Sequence, residues 1–400
     1  MMGMQKQVSR KKPFFFIAVL AAVAVTPMVA GCEWAQQSVI KLLWPNPREA
    51  YAASLRLTKN PNEKLAQAWL AAAKTAKAEL LTLARDRYQE AGYFSAGQIS
   101  ASGFRMPVKR GQEVRIQVVQ TARTSEGSGQ LFADLYTEDG SGWDHHASLP
   151  ISGETSTFTA EVDADYLLLL QPELRASIRY TLAWSKGGSL DFPVQGKNRR
   201  AIGGVFGDPR DGGRRKHHCV DIFAKRGTPV LAATDGRVRV GDTAIGGKVV
   251  WLRDAERGLS YYYAHLDNIS VANGTQIKRG SVLGGVGNTG NARGTPPHLH
   301  FGIYARLRGP EDPWPYLAPR SQIAEITAQP PGVIRHRVSA QALNIRQAPA
   351  ANASLLGQFF AGDLITVVAN TNGWSRILLA DGQHGYVSTR WLKEDELSSR

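Results

Sequence analysis

Cysteine is nearly missing from this chain, with two among 400 residues, Cys32 and Cys219. That scarcity excludes a disulfide-stapled scaffold and leaves stability to packed cores. Long apolar runs are missing too. The run "PFFFIAVLAAVAV" near the start is too short to span a bilayer comfortably. No Gly-x-Ser-x-Gly stretch occurs, so the sequence offers no serine nucleophile of that kind. Acids are under-represented: 34 Asp and Glu stand against 48 Lys and Arg, a formal charge of +14. A balance of that sign suits an anionic partner such as a cell-wall polymer, a lipid headgroup or nucleic acid. Apolar residues are present in ordinary amount, 43%, which rules out a disordered chain, and this length predicts two to four domains.

Residues 1–31 read as an export signal, with Lys6, Arg10, Lys11 and Lys12 ahead of the apolar run and small residues after it. The stretch "VAGC" resembles the lipobox of bacterial lipoproteins. By that resemblance Cys32 is the lipidated first residue of the mature chain; an ordinary signal peptide with a chance cysteine is the alternative. Glu33 rather than Asp at the next position favours outer-membrane sorting, by analogy with enteric lipoproteins. Export argues against nucleic acid as the partner. A lipidated Cys32 also leaves Cys219 without an intramolecular disulfide partner.

The chain as a whole reads as mainly β and multidomain. From Asn46 the pattern is helical: "NPRE" and "NPNE" each supply an Asn cap, a Pro at the first helical position and a Glu at the third. After the second cap Leu65, Trp69, Ala73, Leu80 and Leu83 recur near helical spacing to about residue 91, predicting a helical hairpin within 32–94. Over 95–186 the period drops to two in short runs such as "EVRIQVV" and "IRYTLAW", the pattern of an accessory β-sandwich, with His145 and His146 in a polar loop. "SKGGSLDFPVQGKNRR" reads as a linker into a unit over 192–318, and "RSQIAEITAQPPG" as another ahead of a small all-β unit, 334–394. In that last unit "ALNIRQAPA", "GDLITVVAN", "GWSRILL" and "HGYVSTRWL" resemble bacterial SH3-like modules of wall-lytic enzymes. The resemblance implies a C-terminal SH3-like barrel that binds cell wall; a purely structural barrel is the alternative.

The chemistry lies in 192–318. "RRKHHCVDIF" crowds His217, His218, Cys219 and Asp221 into five positions of a Gly-rich, β-branched region, where strands joined by tight turns are expected. On a strand His217 and Asp221 face together and His218 faces away. A catalytic metal site needs a third protein ligand, and "PPHLHF" offers His298 and His300 on one face; His265 ends the apolar strand "YYYAHL".

Taken with "GVFGDPR", "GTPVLAATDGRV" and "GGVGNTGNARGTPPHLHFGIY", these residues resemble the lysostaphin-type (LytM-like) zinc metallopeptidases of peptidoglycan. The resemblance implies an antiparallel β peptidase domain and one zinc ion per chain held by His217, Asp221 and His300. It also implies catalytic roles for His265 and His298, and peptidoglycan peptide as substrate. In a Gram-negative envelope it further implies a D,D-endopeptidase acting on the D-Ala to diaminopimelate link, with oligoglycine bridges the alternative in another host. Degenerate relatives act instead as wall-binding regulators of amidases, typically lacking one or more of these five positions, all of which are present here. Cys219 departs from the family, which usually has glycine there. Three roles are open to it: a packed bystander, an extra or competing ligand, or an oxidation-sensitive thiol. A complete three-ligand set favours the bystander, because a fourth protein ligand closes the water position. Lys197, Arg199, Arg200, Arg210, Arg214, Arg215 and Lys216 form a basic cluster ahead of the site, suited to carboxylate-rich peptide stems.

Overall fold

The structure is a computed structural model that describes residues 46–57, 63–83, 85–123, 129–138, 140, 142–320, 322–323, 328–331, 335–379 and 383–395. The export signal, Cys32 and the turn between the two helices lie outside these residues. Among the described residues no helix is long and apolar enough to cross a membrane.

Two compact units divide near residue 60. In the first, the helix Pro47–Leu57 begins where "NPRE" places it: Asn46 Oδ1 accepts from the amides of Arg48 at 2.9 Å and Glu49 at 3.2 Å. The second unit opens with the helix Glu63–Ala78, which buries Ala66, Trp69, Ala73 and Ala76. Its Trp69 Nε1 donates to the Pro172 carbonyl at 2.7 Å, and Gly103 leaves room for the carbonyl of Ala76 at the helix end.

The helical pattern expected to about residue 91 stops at Ala78, and Arg87–Phe94 is instead a strand. Tertiary pairing overrides helix propensity here. Ala91, fully buried, is hydrogen-bonded between two neighbours, opposite Thr181 on one side and Asn370 on the other.

This strand belongs to a β-sandwich. One layer is a five-stranded sheet that includes Ser102–Val108, Ala164–Pro172 and Leu131–Glu138; the other pairs Arg87–Phe94, Ile178–Gly188, Gln112–Arg123 and Ser152–Thr159. Phe104, Met106, Leu168, Leu182 and Trp184 fill the space between them. His145 and His146 lie on the strand Trp143–Ser148, not in a loop, with His145 Nε2 3.4 Å from the buried Asp134.

The segment read as a linker after the sandwich is packed. Residues 185–188 finish the strand Ile178–Gly188, Ser189 Oγ donates to the Gly111 carbonyl at 2.8 Å, and Leu190 N donates to Tyr316 O at 3.1 Å. A Cβ at Gly188 would stand 2.2 Å from Tyr316 O, so only glycine allows this close approach.

The next sheet follows the order Ile202–Gly204, Val220–Phe223, His298–Ala305, Leu259–Leu266, Gly247–Asp254, Gly236–Thr243, Gln276–Ile277, all antiparallel. Alternation sends Val220, Ile222, Leu252, Tyr261, Tyr263 and Phe301 into one core. Asp221, His300, Tyr262 and Trp251 stand on the opposite face. The C-terminal strands, among them Leu364–Thr371 and Trp374–Leu378, join the sandwich through Ala91↔Asn370 and Gly92↔Ala369, so one sheet runs through both.

Candidate metal centre

His217 is delivered by a small hairpin, not by the strand the sequence suggested. Pro209–Arg210 pairs with Arg215–Lys216, and the turn between them uses Gly212 at φ 68° and Gly213 at φ 92°, left-handed values that suit glycine. His217 then closes the hairpin, its amide on Asp208 O and its carbonyl on Gly207 N, both at 2.8 Å. Two residues later the strand Val220–Phe223 begins, and the register sets Asp221 opposite His300.

Three atoms that carry lone pairs meet at this point. His217 Nε2 and His300 Nδ1 are 3.2 Å apart, and Asp221 Oδ1 lies 3.2 Å from the former and 2.7 Å from the latter. Ligands at about 2.0–2.2 Å from one tetrahedral zinc ion stand about 3.3 Å from one another; the two 3.2 Å separations match that spacing, the 2.7 Å one is shorter, and the donor types are those of a His₂Asp site. Burial pushes the Asp221 carboxyl up, but the adjoining imidazoles of His217 and His300 outweigh it and hold the group well below the ordinary carboxylate range. Burial lowers His300, against the pull of Asp221.

Backbone carbonyls fix the rings. His217 Nδ1 donates to Val205 O, His265 Nδ1 to Thr289 O and His298 Nδ1 to Pro296 O, each at 2.9 Å. A neutral imidazole that donates from Nδ1 presents a lone pair at Nε2. His298 Nε2 lies 4.0 Å from Asp221 Oδ1, and the His265 ring centre lies 5.2 Å from that of His298 and 5.3 Å from that of His300. His265 takes φ 63°, a backbone strain of about 1–3 kcal/mol for a non-glycine residue. Its amide bond to Gly246 O at 2.8 Å and its ring bond to Thr289 hold it there. Burial and then the neighbouring rings of His300 and His298 push His265 down to about 4.

The structure thus brings His217, Asp221, His265, His298 and His300 together. His218 is exposed and turned away, its ring 6.2 Å from that of Phe206. Cys219 is buried and stays outside the three-ligand group: its Sγ lies 3.7 Å from Tyr304 Oη, in space that a Cβ on Gly302 would fill. Burial pushes its thiol up to about 12, which keeps it protonated. Sequence reasoning missed the role of Arg210, read only as part of a basic cluster: its Nη2 donates to Asp221 Oδ2 at 2.7 Å. The carbonyls of Val205, Thr289 and Pro296 were also missed, since a backbone acceptor leaves no residue-type signal.

Residues 215–313 match the family model "Peptidase family M23", and residues 341–393 match "Bacterial SH3 domain". The L-Ala--D-Glu endopeptidase of Bacillus subtilis is 34% identical over 142 residues, 32% of this chain and 43% of that protein. The DD-carboxypeptidase/endopeptidase Mpg of Neisseria meningitidis is 38% identical over 113 residues, 28% of this chain and 25% of that protein. The solved catalytic domain of lysostaphin from Staphylococcus simulans is 32% identical, covers 29% of this chain and 90% of that chain, and gives a TM-score of 0.26. The chain spans less than half the length of these two curated relatives.

Proposed function

We propose that this chain is a zinc-dependent endopeptidase that hydrolyses peptide cross-links of peptidoglycan from a lipid anchor at Cys32. The observation that carries the reading is the convergence of His217 Nε2, Asp221 Oδ1 and His300 Nδ1 beside two further imidazoles whose Nδ1 atoms are tied to carbonyls. The matched relatives that bear peptidoglycan-peptidase names support the substrate class. A zinc ion in such a set keeps a position for water, lowers that water's pKa toward about 7 and polarises a carbonyl.

The chain's own residues supply the rest. With Nδ1–H held by Thr289 O and Pro296 O, His265 and His298 accept a proton at Nε2. Once protonated, the same atom donates to the oxyanion or to the leaving amine. The lowered pKa of His265 keeps it neutral, and so able to accept, at pH 7. The basic cluster before the site draws carboxylate-bearing stems, and the SH3-like unit holds the enzyme to the wall. With the lipobox and Glu33, the bond proposed is the D-Ala to diaminopimelate link, cut at the periplasmic face of the outer membrane.

The test is digestion of purified sacculi by the purified chain, with and without a chelator, followed by mass analysis of released fragments. Cross-linked dimers should fall and uncrossed stems rise, and the chelator should stop it. No chelator-sensitive cleavage under several activating conditions, despite bound zinc, would move the assignment to a wall-binding regulator.

A further inference from the structure

The two oxygens of Asp221 are not equivalent. Oδ1 faces His300 Nδ1 and His217 Nε2, while Oδ2 accepts from Arg210 Nη2 at 2.7 Å. That guanidinium nitrogen is also 3.0 Å from His217 Nδ1, but Nδ1 already gives its hydrogen to Val205 O. The contact with His217 is therefore packing, and Asp221 is the hydrogen-bond acceptor.

Space for this pair is built into the sheet. A Cβ on Gly204 would stand 2.6 Å from Asp221 Oδ2 and 3.0 Å from Arg210 Nη2, and Gly204 does not sit at a left-handed φ, so glycine is required there for room. Arg210 also stands on the hairpin that ends in His217. One folded element thus sets both the first histidine and the partner of the carboxylate.

We propose that Arg210 is a positioning residue: by occupying Oδ2 it holds the Asp221 carboxylate with Oδ1 turned to the two imidazoles, and so sets the site's affinity for a divalent cation. The inference rests on the reading of His217, Asp221 and His300 as a ligand set. Two effects of Arg210 oppose each other, which makes the proposal testable by sign. A bare positive charge repels a dication, so its loss would tighten binding. A positioning partner keeps a mobile carboxylate in one orientation, so its loss weakens binding, by about 10–100-fold for groups of this kind.

Zinc affinity of the metal-stripped chain, measured by competition with a chromogenic chelator, separates the two. Arg210→Ala should weaken zinc about 10–100-fold. Gly204→Ala, which keeps both charges but crowds the pair, should weaken it in the same direction, and Arg210→Lys should recover part of the loss. Arg239→Ala, an exposed arginine elsewhere on the sheet, should change nothing. Cobalt(II) in place of zinc should give an altered visible spectrum in Arg210→Ala that Arg210→Lys restores. Zinc bound by Arg210→Ala as tightly as by the parent chain, or more tightly, overturns the proposal. If the alanine variant does not fold, Arg210→Gln takes its place, with the same two outcomes read in the same way. A parent chain that binds no divalent cation fails the ligand-set reading itself, a result distinct from any effect at Arg210.

Discussion

Glu90 and Arg376, 286 residues apart, form a doubly hydrogen-bonded ion pair with Nη2–Oε1 at 2.9 Å and Nε–Oε2 at 3.0 Å, and neither is more than 1% exposed. Glu90 comes from the sandwich strand Arg87–Phe94 and Arg376 from the C-terminal strand Trp374–Leu378. Tyr180 and Tyr88 each donate to a Glu90 oxygen at 2.6 Å, which satisfies the carboxylate without water. The SH3-like unit is thus fastened to the sandwich at its core.

Breaking that pair should be costly. Glu90→Gln leaves a buried guanidinium without its counter-charge, and removal of one partner of a buried pair costs about 3–5 kcal/mol. Denaturant unfolding should show this loss. The double change Glu90→Leu with Arg376→Met should recover much of it, because two apolar side chains carry no uncompensated charge. A Glu90→Gln loss below about 1 kcal/mol, the level of an exposed pair, would show that the units are not coupled through this contact.

His384 adds a pH dependence to the same junction. Burial and then the adjacent Arg376 push it down to about 3, while a bond to Ile377 O pulls it up. Its folded pKa lies below the unfolded value near 6.5, so the unfolded state binds the extra proton between those limits. The contribution is therefore intact above about pH 6.5 and declines as pH falls toward 3, by up to about 1.4 kcal/mol per pH unit. His384→Gln should flatten this part of the stability profile, read from unfolding free energies at several pH values; an unchanged slope would contradict the assignment.

Cys219 should be chemically silent in the folded chain. Its raised pKa and burial leave too little thiolate for alkylation, so iodoacetamide at mild alkaline pH should spare it until denaturant is added. Cys219→Ala should keep zinc and turnover, with a packing loss of roughly 1 kcal/mol. A collapse of zinc affinity in this variant would make the thiol a ligand after all.

Much of the candidate site is legible in the sequence because the strand residues that converge there have a spacing that follows the pleat. His300 lies opposite Asp221 with His298 two residues before it, and tight glycine turns separate the short strands. The local reason for His217 is not legible, since it depends on hairpin bonds from Asp208 and Gly207 made through backbone atoms. Residues 79–94 mislead because "ELLTLARDRYQEAGYF" has helical composition. What makes its second half a strand is distant: Tyr180 lies over Gly92, and Arg376 pairs with Glu90. Tight glycines are likewise visible as residues but not as contacts, so Gly188 reads as part of a linker when its lack of a Cβ admits Tyr316.

Within "KHHC", adjacent histidines should behave oppositely. His217→Ala removes a converging nitrogen and should abolish stoichiometric zinc and cross-link cleavage together. His218→Ala removes an exposed ring beside Phe206 and should leave both within about twofold, since surface changes of this kind usually stay within about ±0.5 kcal/mol. Metal content by elemental analysis, with sacculus digestion, distinguishes the pair; equal loss in both would mean that the ring facing away also belongs to the site.

The remaining histidines should separate metal binding from turnover. His265 and His298 are not in the three-ligand group, so replacing either should leave one zinc per chain while lowering kcat by about 10²–10⁴-fold, the usual worth of a positioned proton acceptor. At residue 265 the replacement should be glycine, because φ 63° strains alanine and would mix a folding defect with a chemical one. His265→Gly removes the imidazole and its bond to Thr289 O but relieves that strain, while His298→Ala loses its bond to Pro296 O and its ring contacts with Phe223 and His265. Bound zinc measured beside single-turnover cleavage of a cross-linked muropeptide gives both readings. Loss of zinc in His265→Gly would place that ring among the ligands. Unimpaired cleavage in both variants would remove the two histidines from the chemistry and leave the proton to solvent.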